Sequence, residues 1–259
     1  MSDFLATWAS GLAAILLLAG TARADEIHAL VTGALTTSLR EIVPAFERAT
    51  GNKLSISWGP SSGTTHEAIP VRIKNGEQAD VIVMIGPALD GLVKQGQFKP
   101  AERVDIAQSG IGVGVRMGAP KPDVSSRDAL KQLLLNAKSI GYSEGASGVY
   151  VSTELLKRLG IADEVAPKLK LVTGELVGKA IARGEVEIGI QQISEIRAVG
   201  GVEYVGPLPD DLQKADIISV AVSRDAQAPE AARAFVAFLS SPAAVQAITN
   251  SGLNVPPKR

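Results

Sequence analysis

From residue 26 onward, short apolar runs alternate with longer stretches whose apolar positions recur at helical spacing. Residues 27–31 read as a strand and 32–37 as the loop after it. Residues 38–50 place Leu39, Ile42, Val43, Phe46 and Ala49 on one helical face. Pro44 inside that stretch predicts a kink or a late start, because proline offers no backbone N–H. Gly51-Asn52 ends the helix. Residues 54–58 alternate as a strand, 59–63 form a loop, and 64–75 read as a helix that Pro70 bends. Residues 81–85 are all apolar, the pattern of a buried parallel strand. Strand, helix, strand, helix, strand implies a doubly wound sheet.

The theme then repeats. Strands are predicted at 111–115, 139–142, 170–172 and 188–190. Helices fall at 126–136, capped by Ser125 or Ser126, at 148–159, ended by Gly160, and at 176–183, ended by Gly184. A strand at 217–222 and helices at 229–239 and 242–250 complete the chain.

Residues 1–24 stand apart. An apolar run of roughly 15 residues, too short to span about 30 Å of hydrocarbon, precedes Ala22-Arg23-Ala24, the small-x-small pattern of a signal-peptidase site. Residues 1–24 therefore read as a signal peptide cut before Asp25, with export to the periplasm. The formal net charge of −1 and the lack of a dense Lys/Arg block give no support for nucleic-acid binding. There is no cysteine, so disulfides and thiolate metal ligands are excluded. The two histidines, His28 and His66, argue against a zinc site. No metal or other cofactor is implied.

The ordered pieces Gly33-Ala34-Leu35-Thr36, Ser61-Ser62-Gly63, Gly76-Glu77-Gln78-Ala79-Asp80-Val81, Ser147-Gly148-Val149-Tyr150, Arg183-Gly184-Glu185 before Ile188-Gly189-Ile190, and Phe235 to Pro242 run through the chain. In them the chain resembles the periplasmic substrate-binding proteins of transporters, in the group that includes the molybdate-binding proteins. The resemblance implies a two-domain α/β periplasmic-binding-protein fold of type II, each domain a doubly wound sheet flanked by helices. Domain I would comprise residues 25–107 and 216–259, and domain II the insert 108–215. The ligand would sit in the cleft between them, with hinge closure around it. The implied partners are a small anion and an inner-membrane ABC permease, with the protein a monomer.

Ser61-Ser62-Gly63, read as opening a helix, combines unpaired N–H groups, a partial positive charge and hydroxyl donors, a design for oxyanions. The same residues could simply cap that helix. Ala34, Leu35 and Thr36 form a second such loop. Ser147, Gly148 and Tyr150 would complete the clamp from domain II, although Tyr150 could equally be a core residue. The departures from the molybdate pattern are Ala34 where that family has a serine, Gln191 or Gln192 where it has a tyrosine, and Gly174 where a larger residue donates a backbone N–H. Lost hydroxyls suit an organic carboxylate at least as well as molybdate.

Two functions follow. The first is binding of a small organic anion for delivery to a transporter. The second, from an isomerase of aconitate within the same resemblance, is a 1,3 proton shift in a tricarboxylate. His66, one turn into the helix, would be the base of such a reaction, with Tyr150 or a serine assisting. Otherwise His66 is a surface residue. Arg72, Glu144, Glu175 and Glu195 read as solvent-facing.

Overall fold

The computed structural model describes residues 24–256. The signal-peptide reading therefore lies almost wholly outside the described residues. Ten strands form two five-stranded sheets. They are β1 Glu26–Val31, β2 Lys53–Trp58, β3 Val81–Ile85, β4 Pro100–Ser109, β5 Ile111–Arg116, β6 Ile140–Ser143, β7 Leu169–Val172, β8 Ile188–Gln192, β9 Val202–Pro207 and β10 Asp216–Ser223. The sheet orders are β2-β1-β3-β10-β4 and β7-β6-β8-β5-β9. Each sheet is mixed. β2, β1 and β3 run parallel, as do β7, β6 and β8, while β10 and β4, and β5 and β9, are antiparallel additions. Both sheets thus carry the same arrangement, flanked by helices.

Alternation along the strands builds a core on each face of the first sheet. Ile27, Ala29 and Val31 of β1, with Val81, Val83 and Ile85 of β3, pack against helices Thr36–Thr50, Pro229–Phe238 and Pro242–Asn250. Phe46 meets Phe235 and Phe238 edge-on there, with ring centroids 5.2 and 5.6 Å apart. Leu30, Ile82 and Met84 point the other way, toward Ile69, Leu89, Leu92 and Phe98. In the second sheet Ile111, Val113, Ile188 and Ile190 fill one face. The opposite face is paved with Gly112, Gly114, Gly141 and Gly189. A Cβ on Gly189 would lie 2.4 Å from Ile181 Cδ1, and one on Gly114 2.9 Å from Ile196 Cγ2. These glycines let helices Val177–Arg183 and Ile193–Arg197 settle directly on the sheet.

Three helices depart from their predicted form. The first starts early, at Thr36, after a tight turn at Gly33–Leu35, and continues through Pro44. Pro44 and Arg40, whose carbonyl loses its partner, are both exposed, so water can satisfy it. The helix expected at 64–75 is only Ile69–Lys74. Pro70 sits in its first turn, where the missing N–H is costless, whereas an earlier start would have buried it in the interior. The stretch expected as a helix at 148–159 runs from Ala146 to Leu159, with a wider π turn over Val151–Leu155. Ser152 and Thr153 hydroxyls donate to the carbonyls of Gly148 and Val149 there, competing with the backbone ladder.

The chain passes between the sheets at Gly110 and again between β9 and β10. Ser109 and Asp216 are paired at this crossing. Gln192 ties them: its Oε1 accepts from Ser109 Oγ at 2.5 Å and its Nε2 donates to Asp216 Oδ2 at 3.2 Å. Gln213 adds a clasp, accepting from Ile111 N–H at 2.8 Å and donating to Ile111 O at 2.9 Å. Among the described residues no single helix is long and apolar enough to cross a membrane.

Candidate functional site

A cavity of ≈ 500 Å³ lies between the two sheets. Its walls are the segments that leave the carboxyl ends of the parallel strands β1, β2, β3, β6, β7 and β8. Such ends converge because each parallel strand must turn there into its crossover, leaving loops and helix starts around a shared space. The segments after β1 to β3 contribute Thr32, Gly33, Thr36, Arg40, Trp58, Ser61, Glu67 and Ile85. The opposite wall carries Ser143 to Ser147, Gly174, Glu175, Lys179, Gln191, Gln192 and Glu195.

The residues singled out from the sequence divide into two groups. Thr36, Ser61, Ser147, Gly174, Gln191 and Gln192 line the cavity. Ser61 is buried and accepts from Ile85 N–H at 3.0 Å, which leaves its own proton for a ligand. Thr36 spends its hydroxyl proton on Gly33 O at 2.7 Å. Gln192, committed at the crossing, has no amide atom left over from that tie, and Gln191 Oε1 holds Val177 N–H at 2.8 Å.

Ala34, Leu35, Ser62, Gly63, Gly148, Tyr150 and His66 do not line the cavity. Ala34 and Leu35 are core residues beneath the turn. Ser62 does not open a helix, for the reason Pro70 supplies, and its buried Oγ has no protein partner. Gly63 holds a left-handed turn at φ 111°, where a Cβ would meet Glu144 Oε2 at 2.9 Å. Gly148 is required because a Cβ would lie 1.5 Å from Ser143 O. Tyr150 belongs to the second core, donating to Leu212 O at 2.6 Å and accepting from Arg158 at 3.0 Å. His66 sits in a turn with its side chain 89 % exposed, beside Glu67 at 2.9 Å.

Arg72 is half-buried away from the cavity, paired with Glu77 at 2.5 Å. Glu144, Glu175 and Glu195, read as solvent-facing, all line the cavity instead. Glu144 accepts a hydrogen bond from Thr65 Oγ1 at 2.9 Å, which joins the two sheets' halves across the mouth. Glu175 is held by Arg183, which keeps its carboxyl below the usual range. Glu195 is different. It is buried, and burial pushes its carboxyl up to about 7, against the pull of a hydrogen bond from Gln191.

The cationic side chains in the wall are Arg40 and Lys179, both exposed, and Lys179 stands close enough to Glu175 to help lower its carboxyl. Sequence reading missed both. Arg40 stands one helical turn after Thr36, so i,i+4 spacing from a lining residue was the available signal for it. Among the described residues no group of three His, Cys, Asp or Glu could hold a metal ion.

Two mixed α/β halves with a cavity at their facing strand ends define a cleft-type small-molecule binding protein. More narrowly, the chain belongs to the bacterial extracellular solute-binding protein family, whose model matches residues 27–254. It is 46 % identical over 228 residues to the aconitate isomerase of a Pseudomonas species, covering 88 % of this chain and 87 % of that one. It is 27 % identical over 245 residues to the molybdate-binding protein of Azotobacter vinelandii, covering 91 % and 92 %. A solved structure of the Azotobacter vinelandii periplasmic molybdate-binding protein superposes with a TM-score of 0.74 at 18 % identity, covering 89 % of this chain and all of that one. At that identity the likeness shows the fold alone.

Proposed function

We propose that this protein is an isomerase of a small tricarboxylate, interconverting cis- and trans-aconitate by a 1,3 proton shift. The observation that carries the reading is the 46 % identity, across nearly all of both chains, with aconitate isomerase. The cavity supports it. About 500 Å³ is the range in which organic ligands are held, and far more than one tetrahedral oxyanion fills. Among the described residues no tyrosine is in its wall, so the tyrosine hydroxyl of the molybdate pattern has no counterpart there. Arg40 and Lys179 offer cations from opposite walls for two carboxylates, and Ser61 a hydroxyl. Residues 1–24, as an export leader, would place the mature chain in the periplasm.

Family membership itself favours a second reading, delivery of an organic anion to an inner-membrane ABC permease. Purified protein incubated with trans-aconitate, followed by ultraviolet absorbance and proton NMR, separates the two. Appearance of cis-aconitate with catalytic protein is expected. Saturable binding in a calorimeter without any interconversion would leave only the transport reading.

A further inference from the structure

We propose that Glu195 carries the proton in this isomerisation, removing it from the substrate methylene and returning it to the former vinylic carbon. The assignment rests on the isomerase reading above. A 1,3 shift needs a Brønsted base that touches both ends of a three-carbon unit from one face, shielded from bulk water. Glu195 lines the cavity from helix Ile193–Arg197, in which Ser194, Glu195 and Ile196 are all buried. The chain makes room for its carboxyl. Gly33, on the opposite side of the cavity, leaves a gap in which a Cβ would lie 2.9 Å from Glu195 Oε1. Gln191 holds the carboxyl by a hydrogen bond and is itself fixed through Val177 N–H.

The other ionisable side chains fail as the proton carrier. His28 and His66 are outside the wall. Glu175 is neutralised by Arg183, Glu144 is spent on Thr65, and Glu67 stands beside His66. The elements packed around Glu195 carry Arg40, Glu41, Glu47 and Arg48 on helix Thr36–Thr50, Glu175, Lys179 and Arg183 after β7, Arg197 on its own helix, and Glu203 and Tyr204 on β9. None of them sets its proton affinity, which is governed by burial first and by Gln191 second. A value of about 7 leaves the group divided between base and acid at neutral pH, as one residue serving both half-steps requires.

The step balances without any co-reactant. Ionised Glu195 takes a proton from the CH2 that bears one carboxylate, and the C–H electron pair becomes an allylic anion delocalised into the neighbouring carboxylates. The resulting Glu195 carboxylic acid gives its proton to the carbon at the other end of the allyl unit. The double bond has then moved by one position, no atom is gained or lost, and no oxidation state changes overall. Arg40 and Lys179 supply positive charge while the anion exists.

Glu195→Gln keeps the shape and removes the base. Its affinity for trans-aconitate in a calorimeter should stay within about threefold, while kcat falls by roughly 100-fold or more. Glu195→Asp retains a charge but withdraws it by one methylene. It should lose turnover and displace the inflection of kcat/KM expected of the native protein near neutral pH. If native protein turns over and Glu195→Gln does so within about tenfold, the assignment is wrong and the isomerase reading stands. A Glu195→Asp protein that shares the native pH profile and rate would overturn the assignment in the same way. If native protein shows no turnover at all, the isomerase reading falls, and the assignment with it.

Discussion

Glu195 couples proton uptake to folding as well as to chemistry. Its carboxyl is raised to about 7 in the folded chain, against an ordinary value of 4.5. Between those values the folded state binds more protons than the unfolded one, so stability declines as pH rises. The stabilisation is complete below about pH 4.5 and lost once pH passes about 7, on the order of 3 kcal/mol for this group alone. Glu195→Gln, which has no charge to bury, should melt higher than the native protein at pH 8 and close to it at pH 5. Calorimetric scans at the two pH values check this, and equal melting differences at both would contradict it. Asp80 shows the opposite use of a buried carboxylate. It accepts from the N–H groups of His28, Gln227 and Ala228 at 2.8, 2.5 and 3.1 Å, tying β1 to the start of the Pro229–Phe238 helix. The Gly76 to Val81 motif, part of the family likeness, is therefore structural at its aspartate. From the sequence, Asp80 and Glu195 are both acids beside apolar residues. What separates them is whether folding brings donors, and that is a tertiary fact.

The elements most readable in advance were those with strong apolar runs or caps. β1, β3, β8 and β10 fall within a residue or two of their predicted positions, and Ser126 caps its helix by accepting from Ala129 N–H at 3.2 Å. β4 and β9 escaped notice, whereas the other two edge strands, β2 and β7, were read from their apolar positions. β4 alternates half-solvated charged positions such as Glu102, Arg103 and Asp105 with apolar ones, which blurs the signal a central strand gives. The short helix Ile193–Arg197 escaped too, and with it the position of Glu195. Its placement depends on the glycine face of the second sheet, since Gly114 admits Ile196 and Gly112 admits Ile193, while Gly189 admits Ile181 of the neighbouring helix Val177–Arg183. Gly189→Ala would put a Cβ 2.4 Å from Ile181 and 2.9 Å from Val177. Both are ends of branched side chains in a filled core, so displacement should cost about 1–3 kcal/mol. Urea unfolding should show that loss, and kcat should drop further than stability alone accounts for, because shifting helix Val177–Arg183 moves the Val177 N–H that fixes Gln191, which holds Glu195. Full kcat in a destabilised Gly189→Ala would mean that the cavity wall does not depend on it.

At the scale of the molecule, two halves meet at a crossing knotted by Gln192 and at a mouth joined by Thr65 and Glu144. The two contacts lie in different parts of the cleft and differ in burial. The Gln192 tie is buried, and the Thr65–Glu144 bond is half-exposed, so the mouth is the side that yields. Thr65→Val removes one hydrogen bond to a charged acceptor, worth roughly 1.5–3 kcal/mol. Trans-aconitate should then leave faster, by roughly tenfold. Stopped-flow displacement measures that directly, and an unchanged off-rate would show that the bond does not hold the ligand in.

On that expectation the Thr65–Glu144 bond also governs how long a guest stays. A carrier profits from a long residence, since its cargo must survive until a permease is met. A catalyst profits from a short one, since each guest is useful only until one proton has moved. In the same cleft, the Thr65–Glu144 fastening bears on how long the guest is held, and Glu195 on what becomes of it during the stay.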